Sequence, residues 1–158
     1  MTMTAAPSNI YVRPASIADL DVLTPLFDAY RQFYRKPPDL ELARQFLFER
    51  FQHNESTILL ALQQHGSASG FAQMFPSFSS GVAAPILILN DLFVVSELRR
   101  HGVARLLLHA AAEFGKAVGA ARLTLSTEVM NTAARTLYEA EGWQLQTDYC
   151  VYNLPLTR

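Results

Sequence analysis

The stretch Leu92-Phe93-Val94-Val95-Ser96-Glu97-Leu98-Arg99-Arg100-His101-Gly102-Val103-Ala104-Arg105 decides how this chain is read. Its first part ends the most apolar strand, residues 86–95, which is greasy on both faces as a central strand covered on two sides should be. Its last part opens an amphipathic helix over residues 103–118, with Val103, Leu107, Ala110, Phe114 and Ala117 expected on the core face. Arg105, His109, Glu113 and Lys116 are expected to face water. Between strand and helix lies a turn with Arg99, Arg100, His101 and Gly102. A helix start leaves amide groups without partners and carries a partial positive charge. A glycine there lets an anion approach the backbone, so a pyrophosphate would fit on the amides of residues 100–105. The competing reading is an ordinary strand-to-helix turn with solvated arginines. No Gly-rich run ending in Gly-Lys-Ser/Thr occurs, and no Gly-x-Gly-x-x-Gly follows a strand.

Working outward toward the N-terminus, residues 1–9 read as a flexible tail and residues 10–12 as a first strand. Ser16-Ile17-Ala18-Asp19 is a capping signal for a helix whose stripe is Leu20, Leu23, Phe27, Tyr30 and Tyr34. Pro37-Pro38 stops it, and Asp39 caps a second helix with Leu40, Ala43, Leu47 and Phe51 inward. Residues 57–63 and 70–78 read as a hairpin joined by a small-residue turn. Toward the C-terminus, Gly119 ends the long helix. A strand over 122–126, a helix over 131–141 closed by Gly142, and a last strand over 149–154 follow, with room for a short strand near Trp143. Early hairpins and a late strand-helix-strand crossover predict an α/β chain with a central mixed sheet flanked by helices, one domain over residues 10–158.

Composition excludes several classes of function. The 158 residues are half apolar and 17% charged, enough for a sizeable core and too hydrophobic for disorder. Thirteen Lys+Arg against fourteen Asp+Glu leave a net charge of -1, which argues against a nucleic-acid partner. The richest apolar run, residues 81–95, is broken by Pro85, Asn90 and Asp91, so no membrane span is expected. Residues 1–9 lack the pattern of a signal peptide, and a cytoplasmic location is expected. A single cysteine, Cys150, excludes a disulfide framework, and no metal is expected.

The spacing Arg99-Arg100-His101-Gly102-Val103-Ala104, after a buried strand and at the start of a helix, resembles the Arg/Gln-x-x-Gly-x-Gly/Ala signature of the GNAT superfamily, the Gcn5-related N-acetyltransferases. Asn131-x-x-Ala134-x-x-Leu137-Tyr138-Glu139-x-x-Gly142-Trp143 is similar to the second signature of that family. The resemblance covers nearly the whole chain and implies the acyl-CoA N-acyltransferase fold, with acetyl-CoA as co-substrate. It implies that backbone groups of Leu92, Phe93 and Val94 bond the pantetheine arm. The turn and first helical residues, Arg99, Arg100, His101, Gly102, Val103, Ala104 and Arg105, would hold the pyrophosphate. Asn131 would contact the cofactor, and Tyr138 would protonate the departing thiolate.

The chemistry makes definite demands. An attacking alkyl amine must first lose a proton from a group whose ordinary pKa is about 10.4. Relatives that acetylate polyamines carry Glu-Asp just before the Phe-Val step, whereas this chain has Asn90-Asp91. Asn90 can orient water or substrate but cannot serve as a base. In a regular strand Asp91 would face away from Asn90, Ile88 and Leu92; a bulge of the kind the family has there would turn it toward the site. Asp91 is the candidate base, directly or through water. Its other reading is a carboxylate fixed by neighbouring donors, just as Tyr138 can also be read as a core aromatic.

The acceptor is expected to be a small amine, such as a polyamine, or a lysine. Tyr30, Phe33, Tyr34, Phe75 and Phe78, with Asp28 and Glu41, offer rings and carboxylates that suit a cation. A weak likeness to the polyamine and histone-lysine branch of the family points the same way. Two other readings differ in class: a non-catalytic acetyl-CoA-binding module, and a thiol enzyme using Cys150. The second lacks a histidine after His109, so Cys150 is expected to be a buried small thiol in the last strand. That strand, residues 149–154, is also the expected surface of a homodimer.

Overall fold

The computed structural model describes residues 9–156, and these divide into two compact units that part between Ser126 and Thr127. The first unit carries the sheet. Its strands are β1 (Ile10–Pro14), β2 (Thr57–Gln63), β3 (Ala68–Ser79), β4 (Ala84–Val94) and β5 (Leu123–Thr124), in that spatial order. Neighbours from β1 to β4 run antiparallel, and β5 lies parallel to β4. The helices are α1 (Leu20–Phe33), α2 (Leu40–Gln52) and, in the β4–β5 crossover, α3 (Val103–Ala117). The mixed sheet with flanking helices is the expected architecture.

The capping signals act as the sequence predicts. Ser16 and Asp19 form a reciprocal capping box around a 3-10 turn, Ile17–Asp19, that leads into α1. Asp19 also takes a two-pronged bond from the Arg13 guanidinium, at 2.7 and 2.9 Å, tying β1 to the helix start. Asp39 accepts the Leu42 amide at 2.9 Å and caps α2. Leu20, Leu23, Leu26 and Phe27 of α1 and Ala43 and Leu47 of α2 cover one face of the sheet, against Ile58, Leu60, Leu62, Phe71 and Phe93. Burying such side chains stabilises the fold by about 1.5–3 kcal/mol each. Leu40, expected in this stripe, is exposed instead because it opens the first turn of α2, ahead of the face that meets α1.

The other face is covered by α3. Its buried residues are Val103, Leu107, Leu108, Ala111 and Gly115, a stripe turned about one residue from the expected one; Ala117 is exposed. The cause is steric. A Cβ on Gly115 would lie 2.5 Å from Leu123 Cδ1, so the helix sets its smallest residues against β4 and β5 and turns the larger Phe114 aside. Gly70 on β3 is more tightly bound to its type, since a Cβ there would lie 2.3 Å from the carbonyl oxygen of Phe93.

The second unit contains α4 (Thr132–Ala140). Its end is a Schellman closure: Gly142, at φ +86°, donates to the Glu139 carbonyl, and Trp143 donates to that of Tyr138. The Tyr138 and Trp143 rings, 6.0 Å apart, supply the apolar contact that accompanies such a closure. The strand expected over 149–154 is not formed, nor is one near Trp143. Tyr149, Val151, Tyr152 and Leu154 are exposed, and among the described residues no strand pairs with them; β-propensity without a partner does not make a strand. Cys150 is exposed in this segment, not a buried thiol as expected.

Two outcomes follow from these contacts. Gly70→Ala should lower stability in urea unfolding by about 1–3 kcal/mol, because the obstructing atom is main chain and cannot swing away. Asp19 is held down to about 2, first by its bond from Arg13. Its contribution is therefore present above the ordinary carboxylate range and lost as pH falls toward 2. Asp19→Asn should flatten that part of the acid-unfolding curve, modestly, since Arg13 is partly exposed.

Candidate active site

The site starts from a fault in a strand pairing. Along β3 and β4, Gln73 pairs with Asp91 and the next residue, Met74, pairs with Leu89, so Asn90 has no partner. In a regular strand Leu89 and Asp91 would share a face. Here they pair with consecutive residues of β3, so they lie on opposite faces. Phe71 pairs with Phe93, which places Asp91, Gln73, Phe71 and Phe93 together beneath α1. The bulge expected at this point is present, and it brings Asp91 inward among apolar groups.

Asp91 is 4% exposed. Gln73 Nε2 donates to its Oδ2 at 2.5 Å, and Asn90 Nδ2 to its Oδ1 at 3.1 Å. The Tyr30 hydroxyl also bonds this carboxyl and reaches the main-chain oxygen of Asn90 at 3.4 Å. Burial pushes the Asp91 carboxyl above the usual carboxylate range, while the Gln73, Tyr30 and Asn90 donors pull it back. Tyr30 is fixed from several sides: its ring lies 6.0 Å from those of Phe27 and Phe71, 6.4 Å from Phe93 and 5.0 Å from Tyr34. The core role expected for Tyr30 is met by its ring, while its hydroxyl reaches the bulge.

Beside the bulge, the edge of β4 away from β3 has no partner among the described strands of the first unit. On that edge the Ala121 amide bonds the Pro85 carbonyl and β5 pairs with Leu87 and Ile88, and no described strand of the first unit pairs with it beyond Ile88. The Val95 amide bonds Ser69 on β3, and the Phe93 carbonyl faces Gly70, so by alternation Leu92 and Val94 present their main-chain groups to the open side. That favours Leu92 and Val94 over Phe93 as donors to an extended ligand laid along the edge.

The strand then enters the turn. Arg100 and Gly102 both have positive φ, +65° and +81°. Gly102 is the N-cap of α3, with no side-chain cap and no acidic residue in the first turn. Side chains do cap the 3-10 turn, α2 and α4, through Ser16, Asp39 and Asn131. No side chain caps the amides that open α3, Val103 and Ala104 first among them. Arg99 is used otherwise: its Nε donates to the Val94 carbonyl at 3.0 Å, and its guanidinium lies 5.3 Å from the Phe33 ring centre and 5.6 Å from that of Phe93. The His101 ring bonds the Arg99 carbonyl through Nδ1 at 2.8 Å. Both side chains brace the turn.

The remaining expected residues are scattered. Asp28 is buried, and its carboxylate bonds Arg31, Gln32 and the Asp39 amide, joining α1 to α2. Phe75 lies two residues beyond Gln73 on β3. Phe78 is five residues beyond, about 17 Å along the strand, and 79% exposed. Glu41 lines a separate depression with Arg44 and Phe48. In the second unit, Asn131 accepts the Ala134 amide at 3.2 Å as the cap of α4, and Tyr138 sits in that helix. Gln73 and Ser56 were not anticipated. A polar residue among the apolar ones of residues 71–75 was the available sign. Among the described residues no group of three or more His, Cys, Asp or Glu is placed to hold a metal, and no helix is long and apolar enough to cross a membrane.

Residues 23–143 match the model of the Acetyltransferase (GNAT) family, and the chain belongs to that family. It is 43% identical over 143 residues to "Uncharacterized N-acetyltransferase YhfO" of Bacillus subtilis (strain 168), covering 90% of this chain and 95% of that one. A "Probable acetyltransferase" of Haemophilus influenzae (strain ATCC 51907 / DSM 11121 / KW20 / Rd) is 30% identical, with 88% and 93% covered. A crystal structure of a "probable acetyltransferase" superposes with a TM-score of 0.88 at 38% identity, covering 94% of this chain and 99% of that one. The fold is shared at 22% identity, TM-score 0.77, with AAC(6')-Iy solved with the bisubstrate analog CoA-S-monomethyl-acetylneamine, covering 94% and 100%. The protein is an acyltransferase that moves an acetyl group from acetyl-CoA.

The buried carboxyl makes a prediction about the fold itself. A carboxyl raised in the folded state gives its full stability below the unfolded value and loses it as pH rises through the folded one. Asp91→Asn should therefore be at least as stable as the wild type at neutral pH, and its advantage should grow across the carboxyl range, measured by urea unfolding at several pH values. Gln73 can turn its amide to suit the new side chain, since the Ser56 hydroxyl both donates and accepts.

Proposed function

We propose that the acceptor is a primary amine, a small amine such as a polyamine or the side chain of a lysine, attacked directly in a ternary complex with Asp91 as the base. The observation that carries this reading is the bulge at Asn90, which sets a buried, proton-seeking carboxyl beside the open edge of β4. A carboxyl raised by burial is a better match to an ammonium proton than an exposed one, directly or across one water. Tyr34, whose ring lies 5.0 Å from that of Tyr30, supplies a ring that suits a cationic amine on its way in.

Acetyl-CoA supplies an acyl group already activated as a thioester. The residues assigned to hold it are those of the open edge and the α3 start. Leu92 offers its main-chain groups and Val94 its amide to the pantetheine arm, and one of the two amides would stabilise charge on the acyl oxygen. The amides from Gly102 to Arg105 receive the diphosphate. Arg99 and His101 keep the turn in the shape that exposes those amides. Asn131 shapes the start of α4, and Tyr138 is assigned, from the family resemblance, the donation of a proton to the leaving sulfur. A phenol keeps its proton at neutral pH and so has one to give.

An amine panel of polyamines, amino acids, aminoglycosides and lysine peptides, assayed with acetyl-CoA by free thiol release and product mass, tests the acceptor class. One group of primary amines should stand out. Tyr138→Phe should slow turnover with the best amine by roughly 10²-fold or more while leaving the calorimetric affinity for acetyl-CoA nearly unchanged. Equal turnover in the two proteins would remove Tyr138 from the reaction.

A further inference from the structure

Gln73 stands at a position that an apolar residue would fill more cheaply. It is fully buried on β3, between Phe71 and Phe75 on the same face, and every hydrogen-bonding end of a buried amide must be satisfied. Both ends are engaged. Its Oε1 accepts from Ser56 Oγ at 2.8 Å, and its Nε2 donates to Asp91 Oδ2 at 2.5 Å. Ser56 lies at the foot of β2, partly buried, so a chain of three side chains runs across three strands from near the surface to the carboxyl.

This chain has a property that an Arg or Lys in its place would lack. When Asp91 is ionised, the amide turns its N–H to the carboxylate and the Ser56 hydroxyl donates to Oε1. When Asp91 holds a proton, the amide can turn over, so that the acid O–H donates to Oε1 and Nε2 donates to the Ser56 oxygen. In each state both ends of the Gln73 amide keep a partner. The surroundings add few competing charges. Strands β2 and β3 carry no titratable residue, and Asp91 is the one such group of β4. From α1 the Tyr30 phenol faces the carboxyl, while Asp28 and Arg31 are paired to each other. From α2, Phe46 and Leu47 face this side of the sheet, and the Arg99 guanidinium sits beyond Phe93.

We propose that Gln73, backed by Ser56, is a positioning residue for Asp91, aiming its carboxyl at the acceptor and staying bonded to it whether it is charged or neutral. The inference rests on the reading of Asp91 as the base. In its absence the ionised form loses a donor, so the base would need a higher pH to work.

The test is the pH profile of kcat/KM for the best amine, in wild type, Gln73→Leu, Ser56→Ala and Asp91→Asn, with acetyl-CoA affinity measured by calorimetry alongside. Gln73→Leu should move the acidic limb to higher pH and lower kcat at neutral pH about tenfold, the scale of one lost bond to a charged group, with acetyl-CoA affinity unchanged. Ser56→Ala should shift the limb the same way by less, and it decides the matter if Gln73→Leu does not fold. An unmoved limb in Gln73→Leu, or in Ser56→Ala where that variant decides, overturns the positioning role while the base reading stands, provided Asp91→Asn abolishes the limb. If Asp91→Asn keeps both the limb and the rate, the base reading fails and the inference falls with it.

Discussion

One unpaired residue, Asn90, holds the design together. Without it β4 would be a regular strand, and Asp91 would share the α3 face with Leu89 and Leu87. The extra residue reverses the alternation for everything beyond it, so Asp91 and Phe93 turn beneath α1 and meet Gln73, Phe71 and Tyr30. It also coincides with the end of pairing to β5, so the point where the strand changes face is close to the point where its edge opens. A single insertion in the ladder therefore links a buried carboxyl to an accessible strand edge.

The helix that follows continues the same logic. Three segments have side-chain caps, while α3 begins on a left-handed glycine with none. The amides that open a helix carry its partial positive charge, and at α3 no side chain covers them. The side chains of Arg99 and His101 are spent on Val94 and on the turn itself. Main-chain donors are rigid and hold their direction whatever the side-chain rotamers do.

Stability and chemistry pull against each other around Asp91. A carboxyl among Phe71, Phe93 and Tyr30 is costly to ionise, and the fold offsets part of that cost with Gln73, Asn90 and Tyr30 donors. The aromatic cluster that holds Tyr30 is part of the main core, so the hydroxyl is aimed by the same packing that keeps α1 on the sheet. Loosening either would disturb the other.

Much of this was legible along the chain because it depends on near neighbours. Ser16 and Asp39 cap where their spacing says, β2 spans residues 57–63 as read, and the strand-turn-helix around Gly102 is local in every part. Readings that needed a partner fared worse. Residues 149–154 have strand-forming side chains but no partner strand among the described residues, and Phe78 was grouped with the site although the ladder carries it well along β3. Asp28 looked like a free carboxylate until Arg31, Gln32 and the Asp39 amide were seen around it. The family of the chain was written in the residues flanking Gly102, since a helix start and a tight turn are short-range matters. Which way Asp91 faces, and that Gln73 and Ser56 stand behind it, depended on the register between strands far apart in sequence, and periodicity within one strand carries no information about the ladder beside it.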